Sequence, residues 1–384
     1  MSDLDEFRAE VRAFIDARAP RFPVRAGVRS PETEEDQEEL RRWTRELFDA
    51  GYLGADWPVE YGGSGEDSAD RDQIVAEELA RAFAPLPPGG STLAAAAILG
   101  FGSAAQKATH LPAIRSGAEV WCQLFSEPDA GSDLAGLRTR AVPAPDGSGD
   151  YLVTGQKVWT TNGQWADFGY LLARTEPDAP KHKGITAFAM DMRSPGLTVR
   201  PLREMTGTAD FNEVFFDEVR VPASRMIGRA GEGWTIANTS LAHERSGVAA
   251  NVVTLRELWR ALWDQVSGTN PDADVRQRLL ALHADVEALA ALVQMGTERW
   301  RAGTPKAADA PMAKLMFSEV NLAIAETAVE LLGPDGIFVE GDRGAAVDGR
   351  WQDEYLYARA YTIAGGSSEI MRNLIAERGL GLPR

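Results

Sequence analysis

The sequence predicts an α+β multidomain fold: a helical N-terminal part, a β-rich middle and a long helical C-terminal part. Three observations carry this. Apolar residues recur at helical spacing near both ends of the chain. Between them, after Gly117, short β-rich segments alternate with Gly, Pro, Asp and Asn. A length of 384 residues exceeds what one ordinary core holds.

Taken in order, Leu4, Phe7, Val11, Phe14 and Ile15 form one helical stripe, and Leu40, Trp43, Leu47 and Phe48 mark a second helix over Glu38 to Ala50. The glycine-rich run Trp57-Pro-Val-Glu-Tyr-Gly-Gly-Ser-Gly cannot continue a helix. Helices resume over about Ala69 to Phe83 and about Leu93 to Ser116. The middle part shows β-segments at Tyr151-Leu-Val-Thr, Val158-Trp-Thr-Thr, Tyr170-Leu-Leu-Ala, Ile185 to Met190, Leu197-Thr-Val-Arg and Glu213-Val-Phe-Phe, read as a small barrel or sandwich. From about Gly233 long helices return, broken at Ser267 to Pro271 and at Gly333 to Gly336. The expected domains are 1–118, 119–228 and 229–384.

Composition narrows the function. Acidic residues number 57 against 40 basic, a net charge of −17, which repels nucleic acid and anionic lipid. Neither is an expected partner. Cys122 is the only cysteine, so no intramolecular disulfide or cysteine-cluster metal site can form, and a reducing cytoplasm suits the chain. The acidic start Met1-Ser-Asp-Leu-Asp-Glu lacks the positive and apolar regions of a signal peptide. Ser91 to Phe101, alanine-rich and short of the roughly 20 residues a bilayer requires, reads as a buried helix with no membrane insertion.

Three motifs carry chemistry. Ser126-Glu-Pro-Asp-Ala-Gly-Ser-Asp133 lies at the helix-to-β transition, where Gly131 would let backbone approach a flat ligand and Ser126 and Ser132 offer hydroxyls and N–H groups. On turn chemistry alone it is a surface turn. Trp159-Thr-Thr-Asn-Gly163 follows within a β-segment; taken singly, Trp159 would be a core aromatic. Near the C-terminus stands Gly365-Gly-Ser-Ser-Glu369-Ile.

Together, in this order, the motifs resemble the flavin-contacting segments of acyl-CoA dehydrogenases, and the resemblance spans nearly the whole chain. It implies the acyl-CoA dehydrogenase fold, FAD as cofactor and α,β-dehydrogenation of an acyl-CoA thioester. By that resemblance Phe125, Ser126, Gly131, Ser132, Trp159, Thr161, Gly366, Ser367 and Glu369 bind the cofactor, and Ser132, Arg245 and Gly365 bind substrate. Gly365 occupies the place where many members carry the catalytic glutamate. Within Leu241-Ala-His-Glu-Arg245, Glu244 matches the position used by isovaleryl-type and long-chain members, and Ile236, Ser240, Glu244 and Val248 share a helical face. An ordinary helical Glu–Arg neighbour pair would be a surface ion pair; the glycine at 365 turns the reading towards Glu244 as the α-proton base. Burial beside acyl groups would raise its pKa towards the useful range.

The diphosphate-side motifs of the family's homotetramers are lost. Leu258-Trp-Arg-Ala-Leu-Trp-Asp-Gln-Val-Ser-Gly-Thr-Asn-Pro replaces the Arg-x-x-Phe-Gly segment, and Glu330-Leu-Leu-Gly-Pro-Asp-Gly puts an acid where glutamine stands. Glu330 and Asp335 would repel a diphosphate; in structural terms Glu330, Gly333 and Gly336 serve capping and packing. The chain thus resembles the catalytic subunit of the heterotetrameric branch associated with actinobacterial steroid degradation. That implies a homologous dehydrogenase subunit in an α2β2 assembly, a bulky steroid-side-chain CoA substrate and an electron-transfer flavoprotein or similar acceptor. A homotetramer acting on branched or fatty acyl-CoA and a flavin-free scaffold subunit are the alternatives.

Overall fold

The structure is a computed structural model that describes residues 3–22, 25–27, 30–54, 57–63, 68–244, 248–269 and 271–383. Its helices are α1 (Asp3–Arg18), α2 (Glu34–Asp49), α3 (Ser68–Arg81), α4 (Gly89–Phe101), α5 (Ala104–Arg115), α6 (Gly233–Glu244), α7 (Val248–Ser267), α8 (Ala273–Arg301), α9 (Asp309–Leu332), α10 (Arg350–Tyr361) and α11 (Ser368–Leu374). Between α5 and α6 run β1 (Trp121–Leu124), β2 (Arg140–Pro143), β3 (Tyr151–Thr161), β4 (Phe168–Arg174), β5 (Ile185–Asp191), β6 (Leu197–Leu202), β7 (Phe211–Val221) and β8 (Met226–Ile227). The helical, β, helical order read from the sequence is the observed one.

Two compact units divide the chain. One comprises Val28–Asp72 and Pro85–Glu244. Its eight-stranded sheet has the order β6-β7-β3-β2-β4-β5-β8, with β1 added parallel to β4. β3 runs through where two separate strands were expected. Register shifts between Val153 and Gly155 and between Lys157 and Thr160 bend it without ending it, which disguises the alternation. β1 and β2 were missed because four-residue strands offer no period to read.

α4 is buried, as its alanines suggest, with Leu93, Ala94, Ala95, Ala97 and Ile98 in the core. Its Ser91 hydroxyl accepts the Trp121 N–H at 2.9 Å. A Cβ on Gly90 would stand 2.4 Å from the Trp121 carbonyl, so only glycine allows α4 this close to β1. The single helical run expected over Leu93 to Ser116 is two helices. Gly102 is extended at φ −66, ψ 152, and Ser103 then caps α5 in a reciprocal box with Gln106. Ile236 and Ala237 of α6 join the same core as Leu93, Ile98, Phe125, Tyr170 and Ala187, each large apolar side chain contributing roughly 2 kcal/mol.

The other unit comprises Met1–Gly27, Gln73–Ala84 and Arg245–Arg384. Its core joins α7, α8, α9 and α10 through Leu255, Leu262, Leu279, Val286, Phe317, Ile324 and Trp351. In it Glu78 is only 1 % exposed and is ringed by Arg8, Arg12 and Arg81 at 2.8 to 3.1 Å. Among the described residues α8 alone has the length and apolarity to cross a bilayer. One of its faces, Leu279, Leu282, Val286 and Leu289, is buried in the bundle, the pattern of a core helix. A second face, Leu280, Ala284, Ala288, Ala291 and Met295, is exposed.

Candidate active site

The β-unit gathers Phe125, Ser126, Trp159 and Thr161 where the end of β1 meets the end of β3. Val158 donates its N–H to the Ser126 carbonyl at 2.9 Å, so the two motifs share a backbone hydrogen bond. Phe125 is buried and meets Tyr170 edge to face at 4.8 Å between ring centroids. Ser126 is half-buried. Among the described residues, neither its N–H nor its hydroxyl donates to a protein acceptor.

Trp159 is not a core aromatic. Its φ is +58, a left-handed value that a bulky residue adopts only at a cost of about 1–3 kcal/mol, and its side chain is 60 % exposed, edge-on to Phe211. The register shift before Thr160 causes this: Lys157, Val158 and Thr160 are buried while Trp159 turns outward. The following turn is pinned. Asn162, at φ +59, donates its N–H to the Asp210 carbonyl and accepts from the Ser30 hydroxyl at 2.5 Å, and Ser30 N–H donates to the Asp210 carboxylate at 2.7 Å. An exposed indole on strained, braced backbone, beside free donors at Ser126, fits a planar conjugated ring such as that of FAD.

Other expected positions behave differently. Gly131 has an ordinary φ, and a Cβ there would meet nothing within 4 Å, so this chain's own packing does not demand glycine. Ser132 is exposed, and Asp133 beside it pairs with Lys181 at 2.9 Å. Thr161 is half-buried and pairs with Phe211 across β3 and β7.

Glu244 is the last residue of α6. Ile236 and Ser240, two turns and one turn earlier on its face, are buried, and Ser240 Oγ lies 3.5 Å from the Tyr170 hydroxyl. The Glu244 side chain and all of Arg245 lie outside the described residues.

Gly365, Gly366, Ser367 and Glu369 belong to the helical unit. Gly365 is exposed at φ +66, and a Cβ on it would meet nothing within 4 Å. Gly366 has φ +104 and its carbonyl accepts from Lys314 Nζ at 2.6 Å. Ser367 caps α11 by accepting the Ile370 N–H. Glu369 is exposed; its own backbone N–H and Ser367 hold its carboxyl below the ordinary range. Glu319 fixes the loop from α9 by accepting from Ser368 Oγ at 2.9 Å and from Arg372 at 3.1 Å.

Glu330 is not a bare charge: Arg278 pairs with it at 2.6 Å, and its carbonyl accepts the Gly333 N–H that ends α9. Capping and surface pairing account for it, and Gly336 lies close against Val329. The repulsion argued from Glu330 is thereby reduced. Trp259 and Trp263, in the segment replacing the arginine motif, stack with each other and Trp259 stacks on His283.

Sequence reasoning passed over one pair. Lys157, fully buried, binds Glu127 at 2.8 Å and the Phe125 carbonyl at 2.9 Å. Glu127 also accepts the N–H groups of Arg138 at 2.6 Å and Thr139 at 2.9 Å. Burial opposes its charge, but Lys157 and these donors outweigh it and keep the carboxyl below the usual range. Burial pulls the Lys157 ammonium down to about 8, still charged at neutral pH. Glu127 sits inside the first motif, but a lysine in a β-rich segment carries no signal of facing inward. Cys122 is buried too, its thiol pushed up to about 12, and is chemically inert.

A helical–sheet–helical fold whose sheet presents free donors and a strained, exposed indole offers a surface for a planar ligand, and comparison fixes the class. Residues 1–118, 122–219 and 231–380 match the N-terminal, middle and C-terminal domains of acyl-CoA dehydrogenases. The chain belongs to the acyl-CoA dehydrogenase family. Among its relatives is acyl-CoA dehydrogenase IpdE1 of Mycobacterium tuberculosis, 37 % identical over all of this chain and 99 % of the relative. Similar solved structures include the Tcur3481-Tcur3483 steroid ACAD, 32 % identical with a TM-score of 0.89 over 99 % of this chain and 98 % of that one. The ChsE4-ChsE5 complex from Mycobacterium tuberculosis is 30 % identical with a TM-score of 0.85 over 100 % and 98 %.

Proposed function

We propose that the chain is the base-carrying, flavin-binding subunit of a heteromeric acyl-CoA dehydrogenase acting on a bulky, steroid-derived CoA thioester in the cytoplasm, with Glu244 as the α-proton base. The observation that carries this is at Gly365: no side chain stands there, and its surroundings are open. The carboxylate must come from elsewhere, and the family resemblance favours Glu244, whose backbone lies at the end of the described part of α6.

Bound FAD would supply the acceptor for the hydride that leaves Cβ. Ser126 N–H and Oγ, Trp159 and Thr161 are the groups of the β-unit that would hold its ring. Glu244 would take the α-proton, and by the family resemblance the Gly365 N–H would donate to the thioester oxygen and stabilise its growing negative charge. Loss of that proton and of the Cβ hydride would leave the enoyl thioester.

Three features support a heteromer: the lost diphosphate-side motifs, the exposed apolar face of α8, and the two-component names of the steroid ACAD and ChsE4-ChsE5 structures. The similar structure named a steroid ACAD favours a bulky substrate, and the acceptor of the electrons would be an electron-transfer flavoprotein or similar carrier. The test is anaerobic bleaching of the flavin by a panel of CoA thioesters. Glu244→Gln is expected to keep flavin and substrate binding and to slow bleaching by about 10²- to 10⁴-fold. Bleaching at the wild-type rate would remove Glu244 from the mechanism.

A further inference from the structure

Both peptide groups that flank the Ser126 α-carbon are tied to β3. The Phe125 carbonyl accepts from Lys157 Nζ at 2.9 Å, and the Ser126 carbonyl accepts from the Val158 N–H at 2.9 Å. No cis peptide occurs among the described residues, and in a trans peptide the carbonyl and the next N–H point to opposite sides. Drawing the Phe125 carbonyl inward onto a fully buried ammonium therefore turns the Ser126 N–H outward, where no protein acceptor meets it among the described residues.

The chemistry of the pair argues against a mere staple. A buried ion pair is a poor stabiliser, since desolvating two charges offsets most of their attraction and an apolar side chain of the same volume serves packing as well. What an ammonium adds is direction. With Glu127 fixing it on one side, supported by the N–H groups of Arg138 and Thr139, its remaining donors have one ordered target, the Phe125 carbonyl. The cation also draws electron density from that carbonyl, which polarises the same peptide group and makes the Ser126 N–H a stronger donor.

We infer that Lys157 is a positioning residue of the flavin site: anchored by Glu127, it aims and polarises the Ser126 N–H towards the ring. This rests on the reading of Ser126 as a ring contact. Lys157 touches neither cofactor nor substrate in this role and acts through the peptide it orients.

The experiment uses the full chain co-expressed with its homologous partner subunit, with FAD as the probe. Lys157→Met alone would leave the Glu127 carboxylate buried without its counter-ion, so the informative variant is the double Lys157→Met, Glu127→Gln, which removes both charges. It is expected to fold, with the melting temperature of its apo form near that of wild type. Its FAD affinity should fall about ten-fold or more, with a shifted flavin absorption spectrum and midpoint potential. A double variant with wild-type affinity, spectrum and potential overturns the inference, whatever its melting temperature. Should the double variant not fold, hydrogen exchange in the unaltered complex decides. The Ser126 amide should exchange about ten-fold more slowly once FAD is bound, and an unchanged rate sinks the proposal. A wild-type complex that takes up no FAD overturns the reading of the site as well as this inference; uptake by both proteins with identical spectra overturns the role of Lys157 alone.

Discussion

Trp159 holds a conformation that its own side chain opposes. At φ +58 a bulky residue costs about 1–3 kcal/mol, and with 60 % of the indole exposed, burial returns little of it. Glycine would be comfortable in that backbone. Trp159→Gly is therefore expected to keep or raise the thermal midpoint of the chain while lowering its retention of FAD, a trade between stability and binding read by thermal melting beside flavin absorbance. Trp159→Ala should lose flavin without the gain in stability. Unchanged occupancy and spectrum in both variants would return Trp159 to a surface residue.

At the scale of elements, the junction of α1 with α3 is an ionic core. Burial disfavours the Glu78 charge, but hydrogen bonds from Arg12, Arg81 and Arg8 prevail and hold its carboxyl at about 2 against an ordinary 4.5. A depressed carboxyl contributes stability that is complete above its unfolded pKa and is lost as pH falls through the folded one. The stability of the helical unit should thus be level above about pH 5 and decline between about pH 4.5 and pH 2. Because the arginine side chains are 29 to 49 % exposed, the contribution is discounted for solvent to about 2 kcal/mol. Glu78→Gln should lose that amount at neutral pH and flatten the acid slope, as seen by chemical denaturation at several pH values. On α8, replacing Ala288 by arginine puts a charge in the middle of the exposed stripe from Leu280 to Met295. Helical content should persist while association with the partner fails in size-exclusion chromatography; an unaffected assembly would place the interface elsewhere.

The whole molecule is expected to complete its cofactor site only in a mixed assembly. A diphosphate demands arginine or aimed N–H donors, and the segment from Leu258 to Gln265 supplies stacked tryptophans instead. A homologue with the missing arginine motif would cure the deficit and give two flavins per α2β2 tetramer. Expressed alone, the chain should emerge as apoprotein or aggregate, because the second apolar face of α8 would lie in water. Flavin absorbance against protein mass, in the chain alone and with its partner, measures this. A stable homotetramer with one FAD per chain and full turnover refutes it.

Periodicity and turn chemistry are local, so the order of helical and β parts, the burial of α4 and the breaks after Ser267 and at Gly333 were legible in the sequence. So were the three motifs, because hydroxyls, glycines and an aromatic stand in contiguous strings. Pairing is not local. The bulge that turns Trp159 outward depends on β7 lying opposite β3, and the long course of β3 is visible only once that ladder exists. Which way Lys157 faces was decided the same way: in an isolated strand a lysine belongs in solvent, and only Glu127, Phe125 and the donors of Arg138 and Thr139, gathered from separate segments, make a buried ammonium tolerable. Glu330 shows the converse, since the sequence set its charge against a diphosphate and assigned it to capping and packing, while the pairing with Arg278 came only with the fold. The sequence determined the chain's classes of element and its chemical vocabulary; the tertiary structure decided which charges are paired and which donors stay free, because both depend on residues distant in the chain.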